Sequence, residues 1–546
     1  MSDREIRKRF VAVGERLVHY RTCGEGPPAL LLHDSVKSSV ALIPLARQLS
    51  RNFCVFALDT PGYGNSDPLP GTAEIVDFAR AVRDTIDALK LEKVFIYGRH
   101  TSSKVVLELL CHWPERFEVG VMDGLSLSDP GYGQEFVAKY LPPFEIDDRG
   151  AYLAQAWTQI VDMTRWFPWF SKKAAARMKA ARRDGAAGHR FALDFLAAGP
   201  NYASAYGAGL RYPGGPRRIA SLAPNAPAVF MAARDDVLYP FLDKVPADRA
   251  KEIVPATLDV PERVEQIFLR YCKNARAAPP APQPEQRHYL DCVHGQLHVR
   301  LLGARADTCT LFLHELPGGA SAAMPFLTAL SAHGRVIAPD LPGGGDSDPL
   351  GEGCDANDYA QVLAELLTAL GEKKVNVIAM TTATPFAVAF AARYPDKVDA
   401  LILDGLVGRD LDKAVRFCPP IEFDLAGAYI HRLWHQLRDQ QTQWPWYDGS
   451  VDAIRKIDAE MTGLSLHRQL VDVLKQLDSY GEATQAAFRF DTARAFADLK
   501  CRLMVLMQSG DPAYSVGEKL ADPAMLRTRA IGIEERAAQA AAFFGS

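Results

Sequence analysis

Asp59-Thr-Pro-Gly-Tyr-Gly-Asn-Ser-Asp-Pro68 returns later in the chain as Asp340-Leu-Pro-Gly-Gly-Gly-Asp-Ser-Asp-Pro349, with seven of ten residues identical at an offset of 281. Outward from this stretch the agreement continues in order. Leu31-Leu32-His33 is answered by Phe312-Leu313-His314 at the same offset. Gly150-Ala-Tyr-Leu-Ala-Gln-Ala-Trp157 is answered by Gly427-Ala-Tyr-Ile-His-Arg-Leu-Trp434, now at an offset of 277. Asp162 and Phe167-Pro168-Trp169 are answered by Asp439 and Trp444-Pro445-Trp446. A period of this length is far too long for a solenoid repeat and means two whole domains in tandem.

The join is legible. Ala277-Ala-Pro-Pro-Ala-Pro-Gln-Pro284 is a stiff Pro/Ala stretch of the kind that spaces domains. We expect a first domain over 1–275, a linker over 276–286 and a second domain over 287–546. The 546 residues are ample for two large cores.

Each half alternates short apolar runs with helical patterns. In the first, strands are expected at Ala29-Leu-Leu-Leu32, Cys54-Val-Phe-Ala-Leu58, Val94-Phe-Ile-Tyr97, Val119-Gly-Val-Met122 and Ala228-Val-Phe-Met-Ala232. Helices are expected from Asp77 to Leu89 and from about Ser103 to Trp113. Near-continuous apolar strands predict a mostly parallel sheet covered on both faces, an α/β architecture made twice. A helical, Trp-rich insertion over about 141–215, and its counterpart over about 419–495, falls after the central strands. That is where a cap would cover a site at the carboxyl ends of the strands.

Composition excludes several classes. Lys and Arg total 62 against 66 Asp and Glu, a net charge of -4, so no basic surplus exists to bind nucleic acid. No apolar run reaches the ~18 residues of a membrane span. The charged start Met-Ser-Asp-Arg-Glu-Ile-Arg-Lys-Arg lacks the apolar stretch of a secretory signal. Nine Cys without a CxxC pair read as free thiols in a reducing compartment, so a cytoplasmic location is expected. Gly343-Gly344-Gly345 belongs to the repeated turn and matches no phosphate-binding loop. No cofactor is expected.

The layout resembles the α/β-hydrolase fold superfamily, twice over, across nearly the whole chain. The resemblance rests on the strand-then-His of Leu32-His33 and Leu313-His314 and on the Asp-x-Pro-Gly-x-Gly-x-Ser-Asp turn. It rests also on a strand–turn–helix elbow in each half, and on Ala232-Ala-Arg-Asp-Asp236 and Gln508-Ser-Gly-Asp-Pro512 where the family has its acid. The family nucleophile sits in G-x-S-x-G. Here the first elbow reads Gly98-Arg99-His100-Thr101-Ser102, so His100 holds the nucleophile position. Aligning Pro114 with Pro395 gives Ala379-Met380-Thr381-Thr382-Ala383 in the second half, with Thr381 in that place.

The resemblance implies an acid at Asp235 and at Asp511. It also implies a base His some 25 residues after each acid, and none is there. After Asp235 the next His is His288, beyond the linker, and after Asp511 there is none. Neither half therefore carries a complete Ser-His-Asp triad.

What remains is an imidazole at the top of the sheet. His100 is suited to act as base, acid or nucleophile near neutral pH. The Thr101 N–H, with that of Asp34 or Ser35, would form the oxyanion hole that the fold supplies. Asp34 and Glu315 replace the usual Gly there, and a carboxylate opposes a developing negative charge unless it points away. His33 and His314 are expected to hold that loop by hydrogen bonds. Asp123 and Asp404 end a neighbouring strand, and either lies where it could orient an elbow residue.

Trp157, Trp166, Trp169, Trp434, Trp444 and Trp446 make the caps aromatic. They predict cap packing or a flat apolar pocket, with Trp157 and Trp169 as substrate contacts. His431, His435 and Asp439, at i, i+4 and i+8, share one helix face that is expected to line a pocket, and no metal site is assigned.

The leading expectation is a tandem enzyme acting on a small apolar or aromatic carbonyl-containing substrate: an ester, lactone, thioester or C–C bond. The first domain would hold a His-centred site, and the second would be a degenerate copy touching the first within the chain. Two alternatives stay open. One is a pseudo-hydrolase that binds a ligand or protein without chemistry. The other is a lyase or cofactor-independent oxygenase with His as base.

Overall fold

The computed structural model describes residues 6–128, 130–178, 185–213, 215–273, 275–306 and 309–545. The first five residues of the charged N-terminal segment, and residues 179–184 and 214 of the expected first cap, lie outside the described residues. The chain forms two units: 1–145 with 155–284, and 146–154 with 285–546. The boundary between Pro284 and Glu285 falls inside the Pro/Ala region.

In the first unit the strands are β1 (Arg7–Val13), β2 (Arg16–Cys23), β3 (Pro28–Leu32), β4 (Cys54–Leu58), β5 (Val94–Arg99), β6 (Phe117–Asp123), β7 (Ala228–Ala233) and β8 (Ala250–Val254). They form one sheet in the order β1-β2-β4-β3-β5-β6-β7-β8. β1 and β2 are an antiparallel hairpin, β2 runs antiparallel to β4, and all later pairings are parallel.

The second unit repeats this with β9 (Arg287–Cys292), β10 (Gly295–Leu302), β11 (Cys309–Leu313), β12 (Arg335–Pro339), β13 (Val375–Met380), β14 (Val398–Asp404), β15 (Arg502–Met507) and β16 (Leu526–Thr528). Read from the opposite edge its order is β9-β10-β12-β11-β13-β14-β15-β16, the same topology. Two tandem α/β-hydrolase-type sheets are therefore present, as the repeat implied.

The strands are apolar along their whole length because helices cover both faces. β3 and β11 are buried at every residue. Leu31, Val55, Phe95, Val121, Met231 and Ile267 belong to one core, and Leu311, Ile337, Val377, Phe386 and Leu401 to the other. Order-switching at β3 and β11 places the adjacent strand ends, and the turns leaving them, on one rim of each sheet.

The repeated turn is locked by its first residue. The Asp59 carboxylate accepts from Ser39 N–H, Asn65 N–H and the buried His19 Nδ1 (2.6, 2.9 and 2.7 Å). Asp340 does the same with Ala320 N–H, Asp346 N–H and His298 Nδ1 (2.8, 3.1 and 2.7 Å). Gly64 has φ +54° and its missing Cβ would lie 2.1 Å from Asp59 Oδ2, so the turn closes only around glycine.

The insertions after β6 and β14 are helical. In the first they include Gln134–Tyr140, Ala151–Met163, Gly185–Ala198 and Ser204–Arg211. In the second they include Leu411–Arg416, Ala428–Gln440, Gly463–Leu474 and Glu482–Arg489. No helix among the described residues is long and apolar enough to cross a membrane.

Candidate functional site

β5 ends at Arg99 and the next helix runs Thr101–His112, two residues earlier than periodicity predicts. Only one residue makes the turn between them. That residue, His100, has φ 48° and ψ -109°, a left-handed conformation that costs a non-glycine residue about 1–3 kcal/mol. The geometry depends on Gly98, where an added Cβ would lie 2.4 Å from Ser102 O. The reward is position: the imidazole stands above the strand ends with its side chain 25% exposed, neither sealed in nor free.

Its Nε2 lies 2.9 Å from Asp236 Oδ2 and 3.1 Å from Oδ1. Asp236 is buried, accepts also from Arg99 (2.9 Å) and takes the Leu238 N–H (2.8 Å). Burial pushes its carboxyl up. His100, the Leu238 amide and Arg99 outweigh that and hold it well below the usual carboxylate range. An ionised carboxylate only accepts, so His100 Nε2 carries the hydrogen and Nδ1 is left with the lone pair.

The carboxylate that meets His100 is thus Asp236 and not its neighbour Asp235, the acid expected from the sequence. Asp235 points to the surface, where its carboxylate takes the N–H and hydroxyl of Thr257, both at 2.8 Å. Asp123 is also close, but its Oδ2 accepts from Tyr97 OH at 2.6 Å, with Arg99 Nε 3.9 Å away. It steadies Arg99, and it meets His100 through its carbonyl, which accepts the His100 N–H (2.9 Å). Burial raises the Asp123 carboxyl against the pull of Arg99 and Tyr97.

His33 takes the holding role expected of it. Nε2 accepts the Thr60 N–H (3.0 Å) and Nδ1 donates to Asp34 O (3.0 Å), which fixes a neutral ring. Burial lowers its basicity further. Asp34 forms an ion pair. Burial raises its carboxyl, but Lys37 at 2.9 Å, with His100 and Arg99, holds it ionised well below the ordinary value. The negative charge beside the expected oxyanion hole is therefore paired with Lys37. Ser35 lies beside the Tyr63 hydroxyl, which donates to Tyr202 O (2.9 Å) and accepts the Tyr206 N–H (3.1 Å).

The cap roof over this turn is the helix Ser204–Arg211. Its Gly209 abuts the Thr101 side chain, and its Gly209 carbonyl accepts from the buried Lys104 Nζ at 2.6 Å. Tyr206 on this helix hydrogen-bonds Tyr140 OH (3.1 Å). Burial, Tyr140 and then the Asp34 charge keep its phenol neutral. The tryptophans expected as substrate contacts are engaged within the cap. Trp169 Nε1 donates to Tyr140 O (2.7 Å), and its repeat Trp446 donates to Phe417 O (2.8 Å). Trp157 packs beside Gly188 of another cap helix.

The second unit lacks the elbow. Ala379 stands where Gly98 does, and the chain passes from an extended Met380 (φ -87°, ψ 142°) into a short helical turn starting at Thr381. β-branched Thr resists the left-handed region that His100 adopts. The Thr381 hydroxyl is buried and donates to Asp404 O (3.2 Å). Asp511 is the repeat of Asp236: each caps its own turn from the amide two residues on, and each carbonyl takes a Tyr N–H three residues on. It is bound to Lys456 N–H (2.6 Å) with Arg455 Nε at 3.6 Å. His314 repeats His33, with Nδ1 donating to Glu315 O (2.9 Å) and Nε2 accepting from Leu341 N–H (2.8 Å). His431 and Asp439 are half-buried and His435 exposed, and none lines the cavity found in this unit.

His298, Asp340 and Asp346 bring ligand atoms within 4.8 Å of one another. Arg300 at 2.7 Å from Asp340 and Lys475 at 3.0 Å from Asp346 already supply the cations. This donor set fits an ion-pair network better than a metal.

Two residues escaped sequence reasoning. Arg99 looks like a neutral spacer in the elbow motif. Asp236 was hidden by its neighbour, although Asp236-Val-Leu-Tyr239 against Asp511-Pro-Ala-Tyr514 is a repeated Asp-x-x-Tyr that aligns them.

A family model described as alpha/beta hydrolase fold matches residues 27–236 and 311–429. The chain is similar to the (E)-2-((N-methylformamido)methylene)succinate hydrolase of Acinetobacter baylyi, 31% identical over 100 residues, 18% of this chain and 38% of that protein. It is also similar to 2-hydroxy-6-oxononadienedioate/2-hydroxy-6-oxononatrienedioate hydrolase 1 of Pseudomonas putida, 30% identical over 105 residues, 18% of this chain and 37% of that protein. The matched segment spans less than half the length of either relative. Among solved structures, a hydrolase from Pseudomonas aeruginosa PA01 aligns with a TM-score of 0.37 and 18% identity, covering 50% of this chain and 99% of that one.

Proposed function

The chain belongs to the α/β-hydrolase fold family, and on that premise we propose that its first unit is an enzyme acting on a small carbonyl-containing substrate with His100 as general base. The single observation that carries this reading is an imidazole in the elbow conformation with Nε2 bound to Asp236.

In this reading Nδ1 takes a proton from a water molecule, and the hydroxide forms a bond to the substrate carbonyl carbon. The electron pair of the carbonyl moves onto oxygen, which the Thr101 and Ser35 amides would hold. Asp236 stabilises the imidazolium that forms. When the tetrahedral adduct collapses, Nδ1–H returns its proton to the departing oxygen, sulfur or carbon. General-base assistance of this kind contributes about 10²–10⁴ in rate. The dyad replaces a triad because base and elbow residue are one.

An ester, lactone, thioester or C–C bond next to a carbonyl suits this chemistry. The two relatives named above are hydrolases of a methylenesuccinate and of oxo-dienedioates. Tyr206, on the cap helix above the elbow, would supply an aromatic wall for such a substrate. The second unit, with Thr381 hydrogen-bonded to backbone and the His314 ring bound to backbone at both nitrogens, is read as a copy without this chemistry.

Turnover on a panel of aryl esters, lactones and vinylogous diketones tests the reading. H100A should lose the activity of the wild type by at least about 10²-fold, and intact mass should show no acyl-enzyme during turnover. Unchanged turnover in H100A removes His100 from the chemistry. An acyl adduct on His100 makes it the nucleophile instead.

A further inference from the structure

The second unit encloses a cavity of about 100 Å³ at the carboxyl ends of β11, β13 and β14. Phe312, Met380 and Tyr514 form much of its apolar wall, and Arg455 and Glu315 face it. Arg529 and Arg536 also reach it but are spoken for. Arg529 makes two bonds to Asp404 (3.0 and 3.1 Å), and Arg536 binds Glu460 (2.5 Å).

Arg455 and Glu315 are not so well matched. Arg455 is buried, with 8% of its surface exposed, and one arm donates to Gln440 O at 3.2 Å. Its Nε finds no hydrogen-bond acceptor, the Asp511 oxygen lying 3.6 Å off. Glu315 Oε1 is buried without a donor, and so is Gln440 Oε1. Leaving such groups unmet is costly, more so when they are charged. One orphaned donor, Arg455 Nε, and one orphaned acceptor, Glu315 Oε1, on residues lining one void describe a missing partner that offers both kinds of group.

The cavity lies over the second unit's elbow position, Thr381, but its guanidinium is not inherited from the repeat. Backbone pairing aligns Trp166 and Arg177 of the first unit with Gln443 and Ile454 of the second, so Arg455 stands where the first unit has Met178. The guanidinium is peculiar to the copy that lacks His100.

We propose that this cavity is a non-catalytic binding site for a small hydroxycarboxylate, its carboxylate on Arg455 and its hydroxyl donating to Glu315. Size sets the class. A cavity of about 150 Å³ holds the six carbons of benzene, so this one takes roughly four or five non-hydrogen atoms.

The test is calorimetric titration of the full-length chain with sodium glycolate, with acetate and ethylene glycol as probes lacking the hydroxyl and the carboxylate. Glycolate should bind in the millimolar range to wild type and equally to H100A. R455Q should weaken it by about tenfold or more, and acetate and ethylene glycol should each bind several-fold more weakly than glycolate. Because R455Q strips a buried cation from beside Asp511, its melting curve is recorded and R455K is run beside it. R455K keeps the charge but loses the fork, and should also weaken glycolate. A crystal soaked in glycolate should show it between Arg455 and Glu315. No binding of glycolate, affinity unchanged in R455K and R455Q, or binding lost in H100A overturns the proposal.

Discussion

His100 Nε2 and Asp236 Oδ2 are 2.9 Å apart, so the acid of this fold grips the elbow residue directly with nothing between them. In a Ser-His-Asp triad a separate His stands between acid and nucleophile. Here the imidazole itself sits at the turn. Arg99, one residue before, donates to the same carboxylate and keeps it ionised. Tautomer choice is thereby set by the protein and not by the substrate.

Two neighbouring substitutions separate the acid read from sequence from the one found in space. Asp236→Asn offers Nε2 a donor as readily as an acceptor, which lets the ring adopt the wrong tautomer. We expect kcat to fall by about 10²–10⁴ with little change in KM. Asp235→Asn touches only the exposed Thr257 turn, and we expect turnover within about twofold of wild type and a stability change under ~1 kcal/mol. Steady-state kinetics on the same ester decide both.

Gly124 follows β6 with φ +63°, and a Cβ there would lie 2.6 Å from His100 Cδ2 and 3.0 Å from Nε2. Gly124→Ala must therefore push the ring off Asp236. A displacement near 1 Å is expected to lower kcat by about 10²-fold, while the left-handed backbone costs ~1–2 kcal/mol in stability. A kinetic loss far larger than the fall in melting temperature explains is the outcome that checks this.

The sheet was readable because its signal is one-dimensional: apolar runs, turns and a repeated ten-residue stretch. The site was readable only in part. His100 and Thr101 announce themselves by position in a motif. The choice between Asp235 and Asp236 depends on which way a turn leaves β7, and two adjacent acids look alike until the backbone is in place. Trp169 and Trp446 stayed open between packing and a pocket for a related reason. Aromatic content predicts burial, but whether an indole faces a ligand or a carbonyl of its own cap is decided by cap folding. The pairing of His19 with Asp59 went unread as well, although Leu17-Val-His-Tyr-Arg21 and Gln296-Leu-His-Val-Arg300 carry the same His-x-Arg ahead of each turn.

That pairing makes a stability test. Burial raises the Asp59 carboxyl, but His19, Arg21 and His33 hold it well below the unfolded value, and Asp340 is held low in the same way by Arg300, His298 and His314. A depressed folded pKa contributes stability above the unfolded value of ~3.9, and that stability is lost as pH falls through the folded one. Asp59→Ala leaves His19 and two turn amides without their acceptor and is expected to cost about 3–5 kcal/mol at neutral pH. The deficit relative to wild type should shrink below about pH 4. Denaturant midpoints at neutral and acid pH measure it.

Asp194 runs the opposite way. It lies on the cap helix Gly185–Ala198 and accepts the Ser38 hydroxyl at 2.7 Å from the loop after β3. The second unit repeats the clasp, with Asp472 accepting from Ser321 at 2.5 Å. Burial pushes the Asp194 carboxyl up to about 7, with Asp59 and Asp34 adding repulsion, against Ser38 and Lys37. Burial likewise brings Asp472 to about 6, opposed by Lys475 and Arg300 and helped by Asp340 and Asp346. The folded chain thus keeps a proton that the unfolded chain has released. Between about pH 4 and the folded value the native state binds more protons, so stability falls as pH rises, by at most ~1.4 kcal/mol per pH unit for each group, and levels off above it. Asp194→Asn keeps the acceptor for Ser38 and cannot ionise. Its stability relative to wild type should therefore climb as pH rises from about 5 to 7 and then hold constant. Paired denaturation curves across that range check the sign, and a difference that does not change with pH means that the Asp194 carboxyl is not raised.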